Sequence, residues 1–219
     1  MKRSFLALFL AGMGFFAFGQ SSWKHSAGAA VNASLYSFRV WGDGEKNAFV
    51  PQLSARYYGE AQNGFCVSGT FGFGLSVSRN FKLDNENNVC AGLAFGTTIG
   101  AGYAFHNSSR GTFALLGTLS FDWMTYKFKK TISANVSGGT VSSEWTQEDS
   151  LFAFGIGLEA IGFFPLTNRL SLYGTLGLKF FDAGKLRING KKLGRSYNDS
   201  FEIRGNVALT PSFGVMWTF

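Results

Sequence analysis

Proline, cysteine and histidine are scarce: the 219 residues hold three Pro, two Cys and two His. No G-x-S-x-G elbow appears and the cysteine spacing fits no metal site, so neither a hydrolase nor a metalloprotein is indicated. Long apolar runs are missing too. After Gln20 no stretch of eighteen apolar residues occurs, which removes membrane-spanning helices from consideration. There is no low-complexity tract and no linker. What is abundant is Gly (29) and Phe (25), material that suits many strands with aromatic rims and suits helices poorly. The net charge of +7, or +5 without Lys2 and Arg3, is moderate and diffuse. It fits phosphate-rich headgroups or acidic polymers and argues against a nucleic-acid partner.

Lys2 and Arg3 precede an apolar run from Phe5 to Phe18, with small Ala17 and Gly19 before Gln20, the pattern of a secretory signal peptide. The run is too short for a spanning helix, and no Cys follows it to carry a lipid anchor. Residues 1–19 are expected to be this signal and 20–219 one domain. The far end of the chain says more. From Phe201 the odd positions read Phe, Ile, Gly, Val, Leu, Pro, Phe, Val, Trp and Phe219, while polar and small residues fill the even ones. A period of two over nineteen residues describes a strand with one dry side. Bilayers admit such strands only when a closed barrel satisfies every backbone group.

Alternation and turn signals place strands near 25–40, 48–58, 65–78, 89–105, 112–126, 151–164, 170–181 and 201–219. These 118 residues hold only seven charges: Arg39, Arg56, Asp122, Glu159, Lys179, Glu202 and Arg204. A soluble barrel would show charge to water along each strand, so the outward face here must be oily. All but Arg39 fall on the polar parity. The expected architecture is an all-β, eight-stranded, antiparallel up-and-down transmembrane barrel with short periplasmic turns and longer extracellular loops. Asn189-Gly190 and Gly138-Gly139 read as hairpin tips, so segments 182–200 and 127–150 are expected to protrude as β-ribbons. Pro51 and Pro211 fall inside strands, where a bulge or local fraying is expected. A bulge near Ser34 would likewise bring Tyr36 onto the apolar face.

The whole mature chain resembles the small eight-stranded bacterial outer-membrane proteins of the OmpA, OmpX and OmpW type. Phe219, with Trp217, Val215 and Phe213 at alternating positions behind it, is similar to the signal by which such families are handed to the barrel-assembly machinery. The resemblance implies outer-membrane lipid, that machinery and periplasmic chaperones as partners. It also implies either OmpW-like passage of small, often apolar molecules or an OmpX-like protruding sheet.

Chemistry is sought first in the lumen, where Arg56, Asp122, Glu159, Lys179, Glu202 and Arg204 share the inward parity. Two walls read as small residues from Cys66 to Ser76 and from Cys90 to Ala104, with Arg56, Tyr58, Met124, Tyr126, Tyr173 and Met216 among the side chains that reach across. Eight strands leave a bore that side chains just fill. Lys179 and Glu202 are expected to meet across the last hairpin. Cys66 and Cys90 begin strands of opposite direction, lie near opposite ends and are expected to be free thiols. His25 and His106 both fall at the periplasmic end, away from the outer leaflet, so an enzyme is not expected, nor is a cofactor. Two functions stand open: a narrow channel for small solutes or small apolar molecules, and a sealed barrel that acts as an adhesin through loops 127–150 and 182–200. The second loop carries Lys185, Arg187, Lys191, Lys192 and Arg195 for an acidic extracellular ligand.

Overall fold

A computed structural model of the chain describes residues 23–40, 44–83, 86–107, 111–136, 139–192 and 195–219. The expected signal peptide lies outside the described residues. Eight strands, β1 (Trp23–Val40), β2 (Gly44–Ala61), β3 (Phe65–Leu83), β4 (Glu86–Asn107), β5 (Gly111–Val136), β6 (Gly139–Pro165), β7 (Leu170–Lys192) and β8 (Arg195–Thr218), form one closed barrel in chain order. All neighbours are antiparallel, and β8 returns to pair with β1.

Closure carries a stagger. Following directly paired residues around the wall, Ser26 leads through Tyr58, Ser68, Gly100, Thr118, Gly157, Lys179 and Ala208 back to Tyr36, ten residues further along β1. Strands must therefore tilt, and eight tilted strands enclose a bore about as wide as interlocked side chains. Both described chain ends, the connections at 62–64 and 166–169, and the paired strand ends Asn107 and Gly111 share one rim, called here the turn end. Gly64 makes the first of these turns possible. Its φ of 87° is left-handed, its N–H donates to the Ala61 carbonyl at 2.9 Å, and its own carbonyl accepts from Ala104 N–H at 2.8 Å.

The outer surface is apolar. Thirty large hydrophobic side chains stand exposed among the described residues, including Leu53, Phe71, Leu158, Phe213 and Trp217. A water-soluble monomer rarely exposes apolar patches beyond a few hundred Å². On β6 the outward row runs from Phe164 to Phe152 before giving way to Ser150, Glu148 and Thr146. Twelve residues at about 3.3 Å each, tilted by about 40°, rise about 30 Å, the thickness of a hydrocarbon core.

Several expectations are corrected. The two ribbons are not separate. β6 and β7 stay paired as far as Thr146↔Lys191, so β5 to β8 leave the rim opposite the turn end as one four-stranded sheet. Asn189-Gly190 is no hairpin tip, since pairing continues past it to Lys192↔Arg195. Glu148 and Gln147 of β6 hold these two residues in strand, which overrides their local turn preference. At the other hairpin, β5 pairs to Val136↔Gly139, and the connecting 137–138 lie outside the described residues.

Of the bulge or local fraying expected at each proline, the fraying occurs, on one side of the strand, and no bulge does. The β2–β3 ladder skips Val50 and Pro51 without changing register, and the β1–β8 ladder skips Thr210 and Pro211 likewise. A strand residue directs its N–H to one neighbour only, so each proline opens one side of its strand and leaves the other paired. Ser34 makes no bulge either. Alternation runs on, and Tyr36 points inward with 5% exposure. The slip comes later, between Ser37 and Arg39 against β8, and a matching slip separates Phe154 from Gly155 against β7. The β7–β8 hairpin keeps its own register through this level, so it is displaced as a unit against both flanking strands. The alternation that runs unbroken through the last nineteen residues of sequence thus slips once in space.

Candidate functional site

Inward side chains stack in three layers. Next to the turn end, Tyr58, Cys66, Leu116, Ile161, Tyr173 and Met216 pack with Phe163 against them. Nearer the protruding sheet, Tyr36, Val50, Met124, Tyr126, Leu151 and Phe181 form a second apolar plug. Between them lies a polar layer that holds four charges. The small walls of β3 and β4 make room for this: a Cβ on Gly96 would stand 2.6 Å from Asp122 Oδ1, and one on Gly72 would stand 3.0 Å from Gln52 Oε1.

Arg56 reaches straight across the barrel. Its Nη1 donates to Glu159 Oε2 at 2.9 Å and its Nη2 to Oε1 at 2.5 Å, a two-pronged pair between β2 and β6, which stand on opposite walls. Nη1 also donates to Ser68 Oγ at 3.2 Å, and the guanidinium lies 5.6 Å from the Tyr173 ring centre. Lys179 Nζ donates to Asp122 Oδ2 at 3.2 Å and to Oδ1 at 3.4 Å, joining β7 to β5. Both pairs are buried. Hydroxyls complete the layer with Ser34 to Thr210 at 3.0 Å, Thr175 to Ser212 at 2.7 Å, and Ser54 donating to Asn32 Oδ1 at 3.1 Å.

Arg56, Asp122, Glu159 and Lys179 thus come together in the lumen, and Glu202, expected among them, does not join them. Glu202 is exposed on the sheet opposite Lys185, and Lys179 stands opposite Ala208, so the expected contact between Lys179 and Glu202 does not form. The reason is that β7 and β8 stay paired past Asn189-Gly190 as far as Lys192↔Arg195, which carries Glu202 away from the rim. The backbone of Arg204 stands opposite Arg39, and its side chain lies outside the described residues. In the basic segment Lys185, Arg187 and Arg195 are exposed, while the side chains of Lys191 and Lys192 lie outside the described residues. Phe213, Val215, Trp217 and Phe219 all face outward.

Sequence parity missed Tyr36 as a lumen residue, because its aromatic ring resembles the outward residues of its neighbours. It also missed a cluster at the turn end. There His106 Nε2 pairs with Glu60 Oε1, His106 Nδ1 stands 3.1 Å from Thr112 Oγ1, and Tyr58 donates to Glu60 Oε2 at 3.3 Å. His25, at the same end, lies 2.7 Å from the Tyr57 hydroxyl and stacks on Phe219. Cys66 is buried as a free thiol. Cys90 stands opposite Ser78, twelve residues along β3 from Cys66, a separation of about 40 Å at about 3.3 Å per residue.

No protein-family model and no curated protein sequence matches the chain. Solved structures do. The chain is similar to a major outer membrane protein from Thermus thermophilus, with a TM-score of 0.56 at 15% identity over 88% of this chain and 99% of that one. It is similar to the outer membrane protein OprG from Pseudomonas aeruginosa, with a TM-score of 0.55 at 9% identity over 92% and 98%. At such identities the likeness speaks for the fold. Joined to the apolar belt and the closed register, it gives the conclusion that this chain has the fold of the small eight-stranded outer-membrane β-barrel proteins.

Proposed function

We propose that the protein is a sealed, non-enzymatic outer-membrane barrel that acts at the cell surface through its protruding β5–β8 sheet, which binds an acidic extracellular ligand. The observation that carries this reading is the filled lumen: two apolar plugs enclose a polar layer in which Arg56 and Glu159 tie opposite walls together. A narrow channel would require both plugs to move and that pair to part. The sheet, by contrast, is open to partners. β4 pairs with β5 only as far as Lys127, and β1 pairs with β8 only as far as Ile203, so both outer strands continue past their last neighbour. Unpaired backbone along such edges accepts an added strand, and exposed Lys185, Arg187 and Arg195 favour an acidic one over Asp199 and Glu202. In this orientation the turn end faces the periplasm, and Phe213, Val215, Trp217 and Phe219 serve the assembly machinery.

Two measurements test the reading. In planar bilayers the refolded barrel should be electrically silent. Steady conductance that changes on substituting Lys179 would support the channel instead. Deleting residues 184–196 should abolish retention on an immobilised sulfated polysaccharide while the heat-modifiable barrel persists in gel electrophoresis. Unchanged retention would remove the sheet from the proposal.

A further inference from the structure

The β1–β2 hairpin is paired along its whole length, from Trp23↔Ala61 to Val40↔Gly44, so it can move only as one piece. Its two seams are less regular. Ala33 and Pro51 form one directly opposed pair within it, and the registers of the flanking ladders set Pro211 of β8 level with Ala33 and Leu75 of β3 level with Pro51. Both ladders are interrupted there. β1–β8 skips Ala33 and Ser34, and β2–β3 skips Val50 and Pro51. Pro51 keeps its pairing with Ala33 and Pro211 keeps its pairing with Leu176 of β7, so each directs its missing N–H at a seam of this hairpin. Two prolines far apart in sequence thus weaken both flanks of one hairpin on one line. The gap in β4–β5 at Gly92 and Leu93 is different in kind, because side chains fill it: Thr125 Oγ1 accepts from Leu93 N–H at 3.0 Å and Ser76 Oγ donates to the Thr125 carbonyl at 2.6 Å. The β1–β8 gap is spanned by the hydroxyls of Ser34 and Thr210 at 3.0 Å.

Above this line the hairpin is lightly held. Among the described residues β2 pairs with β3 there only at Phe49↔Val77 and Ala48↔Ser78, and β1 pairs with β8 across the slip between Ser37 and Arg39. Below it, pairing on both flanks is continuous, from Ser26 to Asn32 against β8 and from Gln52 to Glu60 against β3. Little of the upper part meets lipid. Its outward row holds Leu35 and Phe49 and then passes to Ser37 and Asn47, so lifting it takes few backbone groups into hydrocarbon. Inward it carries Tyr36, Ala48 and Val50, its share of the second plug. Tyr36 is the fastening: its ring lies 5.9 Å from that of Phe181, and its hydroxyl donates to the carboxylate of Asp122 on β5. Directly beneath the line stand Asn32 and Gln52, in the wall of the polar layer with Arg56, Thr98, Glu159 and Lys179. From these features we infer that the β1–β2 hairpin beyond Ala33 and Pro51 is a hinged flap, latched by Tyr36, that opens the polar layer towards the side of the protruding sheet. The plug next to the turn end stays shut, because its members Tyr58, Cys66, Leu116, Tyr173 and Met216 lie below the hinge. The opened layer is a blind pocket, and the barrel remains closed to conduction.

Amide exchange of the refolded barrel in phosphatidylcholine nanodiscs tests the hinge. The amides from Ser34 to Val40 and from Gly44 to Val50 should exchange together, at one opening rate, while those from Gln52 to Glu60 and along the β5–β6 ladder stay protected. Protection that rises residue by residue from Val40 down to Ser34 is fraying from the end, and it overturns the hinge. Exchange of this group only together with the whole barrel overturns it as well. Tyr36→Phe keeps the ring and deletes the hydroxyl. Loss of a hydrogen bond to a carboxylate should speed the opening about ten- to a hundredfold and leave the β5–β6 amides unchanged. An unchanged opening rate removes the latch. Access to the polar layer is read separately: in a chain with Cys66→Ala and Cys90→Ala, the thiol of Thr98→Cys should react with a small methanethiosulfonate faster by the same factor once Tyr36→Phe is added. Equal labelling with and without Tyr36→Phe would mean that the hairpin moves without uncovering the layer, and sinks the flap. Failure of the cysteine variant to fold leaves amide exchange in the unaltered chain as the deciding result.

Discussion

Arg56 and Glu159 are 103 residues apart in sequence and meet only because the barrel closes. Each is buried, so bulk water cannot take the place of a lost partner. Removing one member strands a buried charge, which costs about 3–5 kcal/mol, whereas replacing both by apolar residues of similar size is often close to neutral. Arg56→Met and Glu159→Leu alone should each lower unfolding stability by that amount in urea titrations followed by tryptophan fluorescence. The double variant should recover most of the loss. Additive losses would mean that the two residues do not act as a pair. Parity along single strands was enough to set Arg56, Asp122, Glu159 and Lys179 on the inner face. Their partners were not legible, because a pairing across the bore depends on stagger and closure, which no single strand records. Tyr36 was misplaced for a related reason: a ring suits lipid and lumen equally, and only its reach towards Phe181 and the charged layer decides.

The eight strands were readable because a period of two with sparse charge leaves few alternatives, even where their ends lie several residues beyond the pattern. The irregularities were not. A slip that displaces β7 and β8 together leaves no mark on their alternation, and the Asn-Gly pair is a turn signal only while no neighbour claims it. The prolines show how local rules bend to the ladder. Pro51 keeps its pairing with Ala33 of β1 and loses it towards β3, so the missing N–H is directed at β3. Pro51→Val should supply that donor. The hydrogen bond gained is worth about 0.5–1.5 kcal/mol, and the added freedom of the unfolded chain offsets about 0.4–1 kcal/mol of it. Stability should therefore move by less than about 1 kcal/mol. The informative readout is amide exchange, in which the new amide at 51 should be protected to the level of its neighbours. Rapid exchange there, or a loss of several kcal/mol, would mean that the proline ring is itself part of the wall.

At the scale of the whole molecule everything rests on which solvent meets the outer surface. Leu158 is 63% exposed and sits in the middle of the β6 outward row, while Phe164, 60% exposed, ends that row at the turn end. Their exposures are nearly equal, so any effect of water or of general surface chemistry should treat them alike. A bilayer does not, because a cation at the midplane costs about 2–4 kcal/mol and one near the interface about 0–1 kcal/mol. Leu158→Arg should accordingly destabilise the barrel in phosphatidylcholine vesicles by the larger amount and Phe164→Arg by the smaller, both read from reversible urea unfolding. The gap should narrow in small detergent micelles, where the apolar layer is thin and deformable. Equal costs at the two positions in vesicles would mean that this face is not covered by lipid tails, and the alternation along all eight strands would then need another cause.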